Sequence, residues 1–315
     1  MRNIGYLPTI GLPTGILGII ILLFAGCTPS LAPATPPPFL NITPISHHAT
    51  PIFLAVTTVP PQTSPRDGMK LMYVSAGEFQ MGLTSDQYWN AVISAENHCS
   101  QSDCEKFFAA EKPAHTVYLD AFWIDQTDVT NAMYAKCVGC QPPSSLFSNT
   151  RMTYYEDSQY ADYPVVYVNW SQADTYCKWA GRSLPTEAQW EKAARGTDGR
   201  TFPWGEGIDQ SMANYGYNIE DTTRVGSYPD GASPYGALDM TGNVWQWVAD
   251  WYDSSYYANS PNKNPTGPGS GTQRVLRGSS YIVLDILAAS TVRIKEPPES
   301  PLDSIGFRCA LNATP

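Results

Sequence analysis

Glycine and proline interrupt this chain so often that it has room only for short regular elements. Its 315 residues include 24 Gly and 27 Pro. Gly breaks regular structure through its backbone freedom, and Pro through its fixed φ and missing N–H. Buried area must then come from large rings, and nine Trp, 19 Tyr and 10 Phe supply them. With 43% hydrophobic and 15% charged residues, the chain is able to bury a sizeable core. A turn-rich domain with an aromatic interior is the expected result. The net charge of -10 argues against a nucleic-acid or anionic-membrane footprint and is read as a soluble acidic surface.

The first residues set the compartment. Arg2 precedes the apolar run Gly15–Phe24 and then Ala25-Gly26-Cys27. A basic start, a short apolar stretch and small residues before a break describe a signal peptide. The ending resembles a bacterial lipobox, with Phe24 where that motif usually has Leu. Residues 1–26 are therefore expected to be removed and Cys27 lipidated, giving an outward-facing membrane anchor. Residues 27–68 hold ten prolines after Cys27 and no charge before Arg66. They read as a tether of at most on the order of 100 Å, in which the pair His47 and His48 is incidental. The folded domain is expected over 69–312.

Six cysteines follow Cys27 in an oxidising setting, which favours disulfides. The spacings of Cys99 with Cys104 and of Cys137 with Cys140 suggest local pairs, leaving Cys177 with Cys309. Spacing alone does not decide among the pairings. A zinc site is the weaker alternative, since no His lies near Cys137 and Cys140.

Within the domain, Leu71–Val74 and Gly77–Gly82 read as a hairpin, and Ala114–Ile124 as one strand carrying a structural His115. Thr130 is expected to cap a helix running to Gly139, Ser171 a second, and Thr186 with Gln189 a third that closes at Gly196. On the third, Glu187, Glu191, Lys192 and Arg195 at i,i+4 spacing read as a solvated face. Brief strands and loops follow to Phe307, with no internal repeat.

Nine ordered motifs carry a resemblance. They are Met81-Gly82, Thr130-Asn131, Val168–Trp170, Cys177–Gly181, Arg182–Glu187, Phe202–Gly205, Gly242–Trp245, Val275–Gly278 and Gly306–Cys309. Across residues 70–311 the chain resembles the formylglycine-generating enzyme, or sulfatase-modifying factor, domain. The resemblance implies an irregular α+β fold, single-domain, poor in secondary structure and related to C-type lectins. It also implies the Cys177–Cys309 disulfide.

Enzymes of that family oxidise a sulfatase cysteine to formylglycine with O₂ and copper(I) held by two cysteines, and thiolates are the soft ligands copper(I) prefers. Counting on from Arg277-Gly278-Ser279-Ser280-Tyr281, the two cysteine positions fall on Val283 and Ala288. Neither side chain binds copper. No three-histidine iron cluster is available either, with four His in the chain.

The family's two calcium sites are implied at Asn214, Tyr215, Asp221 and Thr223, and at Asp239, Gly242, Val244 and Gln246. Gln246 stands where a Glu would bring a charge. Trp245, Arg277, Ser280 and Arg293 fall at the family's peptide groove. The expectation is a monomeric, lipid-anchored, extracytoplasmic domain that binds a protein, peptide or glycan without copper chemistry. The alternative is a family enzyme with different chemistry in the same groove, where Ser279, Ser280, Asp285 and Arg293 are polar.

Overall fold

The computed structural model describes residues 59–144 and 153–313. The expected signal peptide, Cys27, His47, His48 and most of the tether lie outside these residues. Among these residues ten short strands form two four-stranded sheets and one two-stranded sheet. In chain order, β1 is Gln62–Thr63, β2 Lys70–Val74, β3 Gly77–Met81, β4 His115–Leu119 and β5 Phe122–Asp125. The later strands are β6 Trp245–Trp251, β7 Arg274–Arg277, β8 Arg293–Glu296, β9 Ile305–Phe307 and β10 Ala310–Asn312. The first sheet runs β1-β2-β5-β10 and the second β8-β7-β6-β9, while the β3-β4 pair falls in sequence between β2 and β5 of the first. Only β6 and β9 among these neighbours run parallel. The mixed, helix-poor α+β architecture agrees with the expectation from sequence.

Two strand assignments differ from that expectation. β2 and β3 do not form a hairpin: β2 pairs with β5, and β3 pairs with β4. The reason lies in β5, whose four residues are all buried, so it is a central strand and takes partners on both sides, β2 and β10. The single strand expected over 114–124 is accordingly two, split at Asp120-Ala121. The folded part also begins before Met69. β1 pairs with β2, and Asp67 is buried against the guanidinium of Arg182, so residues 62–68 belong to the domain rather than to the tether.

Five α-helices among the described residues complete the fold: α1 Ser85–Ala95, α2 Gln101–Ala109, α3 Asn131–Tyr134, α4 Trp170–Trp179 and α5 Glu187–Arg195. α1 and α2 were not anticipated. Thr84 and Gln87 form a capping box at the start of α1, and Cys99–Cys104 staples the turn between the two helices. α3 is capped by Thr130 as expected but stops at Tyr134. The start of α4 lies earlier than Ser171, because Asn169 caps it and Gln172 returns the bond to the Asn169 N–H. α5 has the expected box of Thr186 and Gln189 and ends on Gly196 at φ 68°, a conformation that favours glycine.

All three expected disulfides are present, Cys99–Cys104, Cys137–Cys140 and Cys177–Cys309. The last one links α4 to the segment after β9. Beside it the rings of Tyr134 and Tyr176 stack at 5.3 Å, and Phe307 meets Tyr176 edge-on at 5.4 Å. This is the aromatic core that the composition implies.

Candidate functional site

The region that the resemblance singles out is built on α5, β7, β8 and the loop between those strands. Arg277 ends β7 and faces Arg293 at the start of β8 in the strand register. Two guanidinium groups so placed would repel, and α5 supplies what keeps them together. Arg277 donates to Glu187 Oε1 at 2.9 Å and to Glu191 Oε2 at 2.8 Å. Arg293 grips Glu187 in a two-pronged pair, both contacts at 2.8 Å. Glu191 Oε1 accepts from Arg195 and from the Gly82 N–H, each at 2.7 Å. The Tyr257 hydroxyl lies between the acids, 3.3 Å from Glu187 and 3.4 Å from Glu191.

Every member of this cluster is buried. The solvated face expected on α5 is thus corrected: Glu187, Glu191, Lys192 and Arg195 are each at most 1% exposed. Lys192 Nζ donates to the carbonyls of Ser75 and Gly77, both at 2.8 Å, and burial brings its pKa down to about 8. Burial works against the charge of Glu191, yet Arg277 and Arg195 hold its carboxyl below the ordinary value. For the groove residues this placement is decisive. Arg293 and the two terminal nitrogens of Arg277 bond inside the fold, Arg277 Nε alone lacking a partner, and Trp245 and Ser280 are buried at 4% and 0% exposure. These four residues do not line an open groove.

Val283 and Ala288 flank the short turn Asp285–Leu287. Val283 is 4% exposed and belongs to the main hydrophobic cluster. Ala288, 1% exposed, packs with Phe202, Ala213 and Tyr215. Backbone bonds fix both places: the Gly216 N–H donates to the Val283 carbonyl at 2.8 Å, and Thr241 Oγ1 to that of Ala288 at 3.3 Å. All six cysteines among the described residues are in disulfides, so none of them stands in for a thiol here. Ser279 and Ser280 are buried with hydroxyls that make no hydrogen bond.

The two implied calcium sites fare differently. In the first, Asn214 Nδ2 donates to the Asp221 carbonyl at 2.8 Å, while Asn214 Oδ1 is buried without a hydrogen bond. An orphaned amide oxygen beside the Asp221–Thr223 loop suits a hard cation. In the second, the side chain of Gln246 is committed elsewhere. Its Oε1 accepts from Trp190 Nε1 and from Arg308 Nε, both at 2.7 Å, and its Nε2 donates to the Asp239 carbonyl at 2.7 Å. Arg308 also donates to the carbonyls of Leu238 and Asp239, so the Gln246 amide oxygen already faces a positive charge. Asp239 Oδ2 accepts from the Gly226 N–H. Asp239, Gly242, Val244 and Gln246 therefore do not fit a calcium ion. Gly242 has a packing reason instead: at φ 78°, an added Cβ would lie 2.3 Å from the Asn214 carbonyl oxygen.

Five buried charges escaped the sequence reading: Arg308, the group of Asp67, Arg182 and Asp125, and Glu111. Arg308 is Arg in a Gly-Phe-Arg-Cys motif, and that context was the available signal. Glu111 lies two residues beyond α2, fully buried near Thr291 and the charges of Arg277, Arg293 and Glu191. Burial raises its pKa to about 8, and burial followed by the charge of Glu187 raises Asp250 to about 8. A folded-state pKa above the unfolded one gives a contribution complete below the ordinary carboxylate range and lost as pH rises through about 8. Glu111→Gln removes one of these titrations. Urea midpoints of variant and parent should agree near about pH 5, and the variant should decline less by about pH 9. An equal decline in both would contradict the assignment.

Comparison with known proteins accounts for the motif order. Residues 57–313 match the sulfatase-modifying factor enzyme 1-like domain. The formylglycine-generating enzyme of Streptomyces coelicolor is 32% identical over 310 residues, covering 80% of this chain and 92% of that protein. The serine/threonine-protein kinase pkn1 of Chlamydia caviae is 37% identical over 216 residues, 64% of this chain but 34% of its own length. Among solved structures, PvdO from Pseudomonas aeruginosa superposes with a TM-score of 0.64 at 24% identity, over 81% of this chain and 98% of that one. The chain belongs to the sulfatase-modifying factor enzyme 1-like domain family, the family of the formylglycine-generating enzymes.

Proposed function

We propose that this chain is a lipid-anchored, extracytoplasmic member of the family that binds a protein, peptide or glycan ligand and does not make formylglycine. One observation supports the reading: Val283 and Ala288, which the count from Ser280 sets at the family's two thiol positions, are buried among carbon atoms. Copper(I) needs soft sulfur donors, and an isopropyl and a methyl group supply none. The occurrence of the same domain as about a third of a protein named for kinase activity supports its use as a module. A different enzyme chemistry in the same place has less support. Ser279 and Ser280 are buried with no base in contact, and Asp285 is exposed on the turn, its Oδ1 accepting from the Ile286 N–H.

Anchoring follows from Cys27 and the small residues before it. Among the described residues no helix is long and apolar enough to cross a membrane. The Asn214 site is the calcium position we retain, with Asn214 Oδ1 and the Tyr215, Asp221 and Thr223 loop as donors. The ion would pin a loop that has few backbone ladders.

Three measurements test these parts separately. Copper(I)-loaded protein mixed with a cysteine-containing sulfatase peptide should take up oxygen no faster than boiled protein, and turnover above that control would overturn the copper-free reading. Cells given an alkyne fatty acid should label the parent chain and not Cys27→Ser, whereas equal labelling would remove the anchor. Calcium should raise the parent Tm by a few degrees over chelator, as binding to the folded state alone requires. Asn214→Ala should lose that response, and a response that survives would place the ion elsewhere.

A further inference from the structure

The Cys137–Cys140 disulfide has no part in the function proposed above. It closes the turn after α3 with only Val138 and Gly139 between its ends. Of the three disulfides it is the one in which neither cysteine is buried. Cys104, Cys177 and Cys309 are all at 0% exposure, whereas Cys137 and Cys140 are partly exposed and Val138 between them is 87% exposed. Both cysteines rest against the edge of the main hydrophobic cluster, yet their partial exposure gives an attacking thiolate more access than at cysteines of 0% exposure. Access is one of the conditions that sets exchange rates. Lys136, adjacent in sequence, adds positive charge, and its Nζ donates to a neutral acceptor, the Asp67 carbonyl, at 2.7 Å.

A purely structural staple explains this pair poorly. In the chain-entropy account a disulfide stabilises less the smaller the loop it closes, and this loop is the smallest of the three. The turn is also held without it. Tyr134 Oη donates to the Gln141 carbonyl at 2.8 Å, Gln172 Nε2 to that of Pro142 at 2.8 Å, and Lys136 ties the near side to Asp67. The bond can open and leave the backbone path in place.

We propose that Cys137–Cys140 is a reversible thiol–disulfide exchange site whose partner is a protein dithiol. A thiolate of the partner attacks one sulfur, forming a mixed disulfide and releasing the other sulfur as a thiolate that takes up a proton. The partner's second thiolate then attacks the mixed disulfide and releases the remaining cysteine. The partner dithiol is oxidised to a disulfide by two electrons, and Cys137 and Cys140 become two thiols. The reverse sequence re-forms the bond.

The probe is a thioredoxin lacking its resolving cysteine, mixed with the full chain and analysed by peptide mass mapping. A mixed disulfide at Cys137 or Cys140 is expected, with the other four cysteines still paired and the far-UV circular dichroism unchanged. In a dithiol titration this pair should open at a concentration about tenfold or more below the others. The C137S/C140S variant should fold and trap nothing. Absence of an adduct, trapping spread over the other cysteines, or opening only on unfolding would each overturn the proposal.

Discussion

The ion cluster of Glu187 and Glu191 with Arg277 and Arg293 holds this fold together. Charges taken out of water cost several kcal/mol each unless they are paired and hydrogen-bonded, and here each carboxylate meets two guanidinium groups. α5 supplies both acids from one side, and β7 and β8 supply both arginines from the other. The same cluster reaches β3 through the Gly82 N–H and the end of α2 through the Ala110 carbonyl, which accepts from Arg293. A chain of such short elements has few ladder bonds to tie distant parts. Removing one partner from such a pair typically costs about 3–5 kcal/mol, because the other charge stays buried and alone.

Two more arginines repeat the device. Arg308 reads the carbonyls of Asp125, Gln126, Leu238 and Asp239 and the amide oxygen of Gln246. Arg182 joins Asp67 to Asp125, and Tyr176 donates to Asp67 from the aromatic core at 2.8 Å. A planar guanidinium with five donors satisfies irregular backbone that no neighbouring strand can reach. Glycine- and proline-rich sequence and buried arginine are therefore two sides of one solution.

Local signals were legible in the sequence where the physics is local. The box of Thr186 and Gln189, the stop at Gly196, the helix start at Thr130 and the three disulfides all follow from short spacings or from the motif order. Burial of the α5 charges was not legible, because Glu191 and Arg195 at i,i+4 spacing look the same on a solvated helix as on a buried one. A hint was present. Ala188, Trp190, Ala193 and Ala194 are buried as well, and a nine-residue helix so furnished has little room for a separate polar side. Strand pairing was misread for a similar reason, since the burial of β5 on both faces shows only once its partners are known.

That same contrast governs the site. Motif order picks out Val283 and Ala288 from spacing alone, whereas the hydrogen bonds of Gln246 depend on Arg308 and Trp190, which come from distant segments. The scaffold is kept by its arginine hubs, and the copper-free reading we propose rests on Val283 and Ala288 offering only hydrocarbon. X-ray absorption at the copper edge, on protein loaded under ascorbate and then desalted, tests this most directly. The account predicts no retained copper with sulfur neighbours. A stoichiometric copper(I) bound by two sulfurs would contradict it.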